Sequence, residues 1–413
     1  MSDTNYNNDD EIIRRRQEQR RRKKREERIK KQKRNRIILL ATGVAVLLFI
    51  VFGISSCVSS CSSRNKKNGN VESTEVVEQT TSDEQTAATQ EQPVQEATLM
   101  EMGADVPDNG QDGYTTDSGV YIWNGQAFEL FYGDSDLART YAATVSNCRQ
   151  KIDNSINVYN IVVPIHIAFG LPERLEKTVD SLSQSDYLNN VYTNYTADGI
   201  KAVNIFGSLK QHRAEYTFFN TDHHWTSLGS YYAYQEFCNA AGETPVDINT
   251  LQSKEIGGFV GSLYNATEVE ELKNHADTVK YYEMPITYTM DVMMEDSTEF
   301  TRLDSMYYDD AGSGGNSYGV FIWGDNPVTK IVNEQPKNGR KVLVIKESYG
   351  NAFVPWLANN YDEVHAIDFR HYTGNVPSYC SENGITDIIF INGVMSSASA
   401  FQLVWGLSKG KAL

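Results

Sequence analysis

The segment TDHHWT, residues 221–226, joins a carboxylate to two adjacent histidines and a tryptophan. We predict that the apolar, aromatic stretch before it is extended, and we consider the case in which the chain stays extended through the motif. In an extended segment, Asp222 and His224 project to one side and His223 to the other. A carboxylate beside a histidine can hold the imidazole tautomer and stabilise the imidazolium that forms during proton transfer. Asp222 and His224 are therefore candidates for an orienting acid and a general base.

A base of this kind needs a nucleophile, and KVLVIKESYG, residues 341–350, offers a serine after an apolar strand. Ser348 lies at a predicted turn, and Gly350 permits a tight backbone there. The unpaired amides at the start of a following helix favour developing negative charge. From spacing alone Ser348 is a candidate nucleophile, although a serine that follows a strand is more commonly a helix cap. We also predict that the regular helix begins near Val354, because Pro355 is tolerated only in a first turn.

A second serine, Ser135 in YGDSD (132–136), belongs to a Gly-Asp-Ser triplet like the nucleophile block of many secreted serine esterases. The preceding residues alternate like a half-exposed strand, and a helix follows that Asp134 or Ser135 would cap. The esterase pattern also has a histidine three positions after its acid near the C-terminus, which this sequence lacks. We interpret Ser135 as part of a helix cap.

The elements that must position these residues are predicted from apolar runs that alternate with helical patterns. Such alternation indicates an α/β layered fold, and strands that are apolar throughout indicate a mainly parallel sheet. The predicted strands are 158–163, 201–206, 341–345, 363–368 and 387–392, and the predicted helices are 135–152 and 227–242, the latter with Gly242 as its stop.

The N-terminal part of the chain has a different composition. Residues 1–36 are strongly basic, and residues 37–56 begin with an uncharged apolar run about long enough to cross a bilayer as one helix. The basic flank predicts a cytoplasmic N-terminus, which leaves the rest of the chain outside the cell. Residues 57–112 are polar and acidic, which predicts a disordered linker. The predicted globular domain is 113–413.

Three further features of the composition bear on lipidation, nucleic-acid binding and metal binding. The stretch ISSC, residues 54–57, loosely resembles a lipoprotein processing box with Cys57 acylated, and this alternative stays open. Nothing aromatic or groove-reading accompanies the basic run, so we interpret it as a topology signal and predict no nucleic-acid partner. The remaining histidines and cysteines lack matched ligand spacing, so we predict no metal and no cofactor.

Two blocks, FFNTDHHWTSLGSYYAYQEF and KVLVIKESYGNAFVPWLANNYDEVHAIDFRHY, resemble the DHHW family of membrane-anchored bacterial envelope proteins, relatives of the alginate O-acetyltransferases in the SGNH class. The resemblance implies an SGNH-like three-layer domain in permuted order, since the Asp-x-His motif precedes the serine. It implies an acyl-serine mechanism through Asp222, His224 and Ser348. Relatives often have Asp directly before the serine, whereas this chain has Glu347.

Three further residues are candidates for the surroundings of the site. Asn326 is a candidate oxyanion donor beside the Ser348 amide, or a turn residue before Pro327. Arg370 resembles a family feature that could contact an anionic glycan, hold a loop or form a structural salt bridge. His223 is a candidate for shaping the pocket or for a hydrogen bond to the backbone.

These residues lead to one hypothesis and two alternatives. The leading hypothesis is extracytoplasmic acetyl transfer to hydroxyls of a surface polysaccharide or wall glycan. Acetyl-CoA is absent outside the membrane, so a transferase needs a supply of acyl groups, and the resemblance implies an acyl-exporting integral membrane acyltransferase as partner. The alternatives are a glycan acetylesterase and a noncatalytic glycan-binding or assembly protein.

Overall fold

The computed structural model of the protein describes residues 104–294 and 297–399. The predicted basic tail, the predicted membrane segment, Cys57 and most of the predicted linker lie outside these ranges. Within them, no helix combines the length and apolar character needed to cross a bilayer.

The described part of the chain contains strands, α-helices and short 3-10 helices in alternation. The strands are β1 (Tyr114–Thr115), β2 (Val120–Trp123), β3 (Gln126–Glu129), β4 (Asn157–Val163), β5 (Ile200–Ala202), β6 (Ser253–Phe259), β7 (Asp277–Tyr282), β8 (Tyr288–Met293), β9 (Phe300–Leu303), β10 (Val328–Asn333), β11 (Lys341–Lys346), β12 (Glu363–Asp368) and β13 (Asp387–Gly393). The α-helices are α1 (Ser135–Arg149), α2 (Glu173–Glu176), α3 (Gln184–Thr193), α4 (Phe206–Gln211), α5 (Ser227–Ala241), α6 (Ser262–Thr267), α7 (Glu270–Asn274), α8 (Gly350–Leu357), α9 (Val376–Asn383) and α10 (Val394–Ala398).

An eight-stranded sheet in the order β5-β4-β13-β11-β12-β10-β8-β9 forms the centre of the fold. Its first five strands are parallel, as predicted from their apolar sequences. The remaining three, β10, β8 and β9, extend the sheet antiparallel. This extension was not predicted, because β8 and β10 alternate buried and half-buried residues rather than forming continuous apolar runs. The fold is therefore a mixed α/β fold.

Two predicted helix boundaries were correct, and a predicted strand boundary was wrong. Helix α1 is capped by the Asp134 carboxylate, which accepts two backbone N–H groups and supports the cap interpretation of its neighbour Ser135. Helix α5 ends before Gly242, whose φ of 72° is the left-handed conformation that glycine adopts readily. The strand predicted at 201–206 ends at Ala202, because the Asn204 side chain accepts the N–H of Phe206 and starts a helix there.

The core lies between the sheet and helices that pack in two groups. One group contains α5 and α8, and the other contains α1, α3 and α10. Strand β11 lies between β13 and β12, so the residues that follow it stand near the middle of the sheet edge. That edge, formed by the carboxyl ends of the parallel strands, is where α/β proteins place their reacting groups.

Candidate active site

The DHHW motif lies on a loop, residues 217–226, which we call the histidine loop. The chain does not stay extended through the motif. Phe218 and Trp225 form an antiparallel bridge, and the Thr226 N–H donates to the Thr217 carbonyl at 2.9 Å, so the chain doubles back. The bend arises because Asp222 accepts the backbone N–H of His224 at 3.0 Å, a local bond that competes with strand pairing. Asp222 and His224 therefore meet through a turn.

A buried carboxylate outside the motif holds the histidine loop in place. Asp277, the first residue of β7, accepts the N–H groups of Asn220 and Thr221, both at 2.8 Å. It also accepts the Thr221 hydroxyl at 2.5 Å and the Tyr216 hydroxyl. Sequence reasoning missed this anchor, because Asp277 lies more than fifty positions from the motif and has no local signal.

The histidine loop brings its carboxylate and imidazole into one hydrogen-bonded chain with a distant serine. His224 Nδ1 lies 2.6 Å from Asp222 Oδ1, and His224 Nε2 lies 2.7 Å from Ser348 Oγ. Asp222 and His224 are buried, whereas Ser348 is half-buried and reachable from solvent. This is the geometry in which a base can take a proton from a nucleophilic hydroxyl.

Asp222 is the negatively charged member of the hydrogen-bonded chain Asp222–His224–Ser348. Burial alone would raise the pKa of Asp222, but the positive charge that His224 can carry, the neighbouring His223 and the N–H of Ser262 hold it well below its usual range. The Ser262 N–H donates to Asp222 Oδ2 at 2.8 Å. Asp222 thus remains a carboxylate and can stabilise a proton on His224.

Ser348 lies in a turn between β11 and α8, which we call the nucleophile turn (residues 347–350). Helix α8 begins at Gly350, so the predicted start near Val354 was wrong. Pro355 lies inside the helix, where it removes one backbone hydrogen bond. Every residue of α8 is buried, and this packing offsets the loss. Position 350 requires glycine because the backbone there lies close to Lys346, and a Cβ would stand 2.6 Å from the Lys346 Cβ.

Besides the bond between His224 and Ser348, two hydrogen bonds link the histidine loop to the nucleophile turn. The Trp225 indole N–H donates to the Tyr349 carbonyl at 2.9 Å, and the Tyr349 hydroxyl donates to the His223 carbonyl. The Trp of the motif is therefore a direct link between the two segments, in addition to its packing in the core. These bonds explain how side chains far apart in sequence are held at a fixed distance.

Glu347, the residue that departs from the family pattern, is buried beside the serine. Its Oε1 accepts the N–H of Gly393 at 2.8 Å, and its Oε2 lies 3.1 Å from Ser348 Oγ. Burial raises the pKa of Glu347, although the Gly393 N–H and the charge of Arg370 act in the opposite direction. The single hydroxyl hydrogen of Ser348 thus has two acceptors within reach, Glu347 and His224.

His223 lies beside the reacting groups. Its Nδ1 is 2.6 Å from Ser262 Oγ, and its ring centroid is 3.8 Å from that of His224. Burial and the adjacent His224 lower the pKa of His223. His223 therefore lies beside the candidate base, and its role in shaping the pocket stays a prediction.

The side chains of Asn326 and Arg370 form hydrogen bonds and ion pairs with groups other than Ser348. The Asn326 amide group donates to the carbonyls of Ile322 and Trp323, at 3.1 and 3.4 Å, which favours the turn interpretation over an oxyanion donor. Arg370 binds both oxygens of Asp368, at 2.9 and 2.6 Å, and also pairs with Asp325 at 2.9 Å. Its guanidinium therefore forms a structural ion pair, as in one of the predicted alternatives.

Asp222, His223 and His224 also offer ligand atoms that all lie within 4.8 Å of one another, a spacing that could hold a cation. The donor atoms are already engaged, since His224 bonds through both ring nitrogens and the Asp222 carboxylate accepts from both His224 and Ser262. A cation would have to displace these bonds. The group is better suited to moving a proton than to binding a metal.

The fold is a mixed α/β sheet with a serine after a central parallel strand and an Asp-x-His loop earlier in the chain. The DHHW protein family model matches residues 69–367, and the chain belongs to this family. The chain is similar to a DHHW family protein from Eubacterium siraeum whose crystal structure is known. The two share 32% sequence identity and a TM-score of 0.64, and the match covers 73% of this chain and 98% of that one.

More distant structures share the fold. Bacillus cereus PatB1 is 18% identical, with a TM-score of 0.55, over 67% of this chain and 96% of that one. PatB1 with a sulfonyl adduct is also 18% identical, with a TM-score of 0.53, over 66% of this chain and 93% of that one. No match was found among curated proteins.

Proposed function

We propose that the protein is an extracytoplasmic enzyme that transfers an acetyl group to hydroxyls of a cell-surface polysaccharide or wall glycan. One observation carries the proposal: Asp222, His224 and a solvent-reachable Ser348 form a continuous hydrogen-bonded chain, with distances of 2.6 and 2.7 Å. The family's resemblance to alginate O-acetyltransferases supports the acetyl group and the glycan.

The reaction begins when Ser348 Oγ attacks the carbonyl carbon of an acetyl ester and His224 Nε2 takes the hydroxyl proton. Asp222 accepts from His224 Nδ1–H, which keeps Nε2 free to act as the base. The backbone N–H of Ser348 is the donor that we propose for the oxyanion. As the intermediate collapses, His224 returns the proton to the leaving oxygen, and an acetyl-serine remains.

The second half of the reaction transfers the acetyl group. An acceptor hydroxyl attacks the acetyl-serine while His224 takes its proton. Collapse of the new intermediate breaks the bond to Ser348 Oγ, which regains a proton from His224. The products are an acetylated glycan and free Ser348.

The location follows from the predicted membrane segment and its basic flank, which leave the site outside the membrane. Acetyl-CoA is not available there, so we propose that an acyl-exporting integral membrane acyltransferase supplies the acetyl group. This partner is what the family resemblance implies.

A glycan acetylesterase is the second candidate, because solvent can reach Ser348 and water can replace the acceptor hydroxyl. The test compares purified full-length protein with its Ser348→Ala variant, using a chromogenic acetyl ester with and without glycan acceptors. Acetylated glycan supports the transferase, and release of acetate alone supports the esterase. Equal rates for both proteins would contradict either enzyme and favour a glycan-binding or assembly role.

A further inference from the structure

One residue from a third segment contacts both the base and the nucleophile of the candidate site. Tyr318 lies in the 3-10 helix Ser317–Val320 and is buried. Its ring stacks on His224, with centroids 3.9 Å apart and planes only 8° from parallel. Its hydroxyl donates to the Ser348 carbonyl at 2.9 Å. Sequence analysis did not single out this tyrosine.

Tyr318 is itself firmly held. Phe219 and Phe321 pack against its ring edge-on, with centroids 6.1 and 5.4 Å away. The N–H of Tyr308 donates to the Val320 carbonyl at 2.9 Å, which fixes the end of the 3-10 helix. Burial raises the pKa of Tyr318 well above its ordinary value, so its hydroxyl keeps its proton and remains a donor.

The contacts of Tyr318 complement the hydrogen bonds of the reacting groups. The bonds from His224 to Asp222 and Ser348 fix its ring nitrogens, whereas a parallel aromatic neighbour fixes the plane of the ring. The stacked ring becomes more important once Ser348 is acylated, because Ser348 Oγ then has no hydrogen to share with His224. At that stage the bond to Asp222 and the Tyr318 ring hold the imidazole in place for the acceptor hydroxyl.

We propose that Tyr318 is a positioning residue that keeps His224 aligned with Ser348, above all in the acyl-enzyme. The inference rests on the proposed function of the same site. Its ring sets the plane of the base, and its hydroxyl sets the backbone of the nucleophile. A displacement of about 1 Å in such a pair can lower the rate about 100-fold.

The test separates these two contacts with two variants. Tyr318→Phe keeps the stacked ring and removes the hydroxyl, and Tyr318→Leu removes both. Tyr307→Phe is the matched control, because Tyr307 is also buried and donates to a carbonyl, that of Tyr282 at 2.6 Å, outside the candidate site. Thermal unfolding verifies that each variant is folded.

Three measurements report on positioning. Intact mass spectrometry follows the reaction of Ser348 with an arylsulfonyl fluoride, and rapid mixing with a chromogenic acetyl ester separates acylation from turnover. Crystal structures give the distance from His224 Nε2 to Ser348 Oγ. We expect Tyr318→Leu to lower kcat by about 10- to 100-fold and to slow deacylation more than acylation, so that KM falls together with kcat. Tyr318→Phe should lose only several-fold, and Tyr307→Phe should match the wild type.

Wild-type rates in a folded Tyr318→Leu variant would overturn the inference. The distance measured in the crystal structures tests the positioning role of Tyr318 without relying on activity, so this test does not depend on the proposed function. If the wild-type protein transfers and releases no acetyl, the proposed function fails, but positioning can still be judged. A distance beyond about 3.5 Å in Tyr318→Leu would support it, and an unchanged 2.7 Å would refute it.

Discussion

Gly261 lies against Asp222 so closely that a Cβ on the glycine would stand 2.2 Å from the Asp222 Cβ and 2.5 Å from its Oδ2. The contact lets the next residue, Ser262, donate its N–H to the same carboxylate. The glycine therefore sets the position of the orienting acid without taking part in the proposed chemistry.

We expect Gly261→Ala to displace Asp222, because there is no room for a methyl group between Gly261 and Asp222. Activity on an acetyl ester should fall at least about 10-fold, and overpacking should destabilise the fold by about 1–3 kcal/mol. Ester hydrolysis and urea unfolding measure the two effects. Gly207→Ala is the control, since a Cβ there meets nothing within 4 Å. Wild-type activity in folded Gly261→Ala would contradict the expected role.

The three members of the hydrogen-bonded chain should act as a unit. We expect Ser348→Ala and His224→Ala each to lower kcat/KM by about 1000-fold or more, and the double variant to lose little beyond either single one. Steady-state kinetics on an acetyl ester measures this. Ser135→Ala should retain full activity, because Ser135 belongs to the start of α1. Additive losses in the double variant would refute a shared mechanism.

Glu347 gives a prediction about pH and stability. Because burial raises its pKa, the folded state keeps this proton at pH values where the unfolded state has lost it. Its contribution to stability is therefore fully present below the unfolded pKa, about 4.3, and is lost as pH rises through the raised folded pKa. Glu347→Gln cannot ionise, so its stability relative to the wild type should increase with pH.

Urea unfolding from about pH 4 to pH 8 measures this difference. Glu270→Gln, at an exposed position on α7, should show no comparable trend. A constant difference between Glu347→Gln and the wild type across the range would show that Glu347 ionises in the folded state as it does in the unfolded chain.

Asp277 should be as important to the histidine loop as the motif itself. Asp277→Asn places an amide where the carboxylate accepts the N–H groups of Asn220 and Thr221, so at least one buried donor loses its acceptor. We expect a loss of about 1–3 kcal/mol in the free energy of unfolding, together with reduced esterase activity. Chemical unfolding and kinetics measure the two effects. Full activity at normal stability would show that the loop holds its shape without this anchor.

The sequence predicted the parts of the fold that depend on local pattern. The apolar runs of β4, β11, β12 and β13 were correct, as was the glycine that ends α5. The contacts that hold the histidine loop in place were missed, because they come from Asp277 in a distant strand. The contact of Tyr318 with His224 was missed for a similar reason, since no local pattern links a tyrosine near residue 318 to a loop near residue 224.

The sheet order also bears on how the protein is made. Strand β13 lies between β4 and β11, yet it is synthesised after both of them. A chain emerging from the ribosome or a translocation channel cannot join the two halves of its sheet until residues 387–393 are available. Such long-range pairing makes folding slow and leaves strand edges exposed meanwhile. The sheet edge at which Ser348 lies is therefore completed only when the described part of the polypeptide is nearly complete.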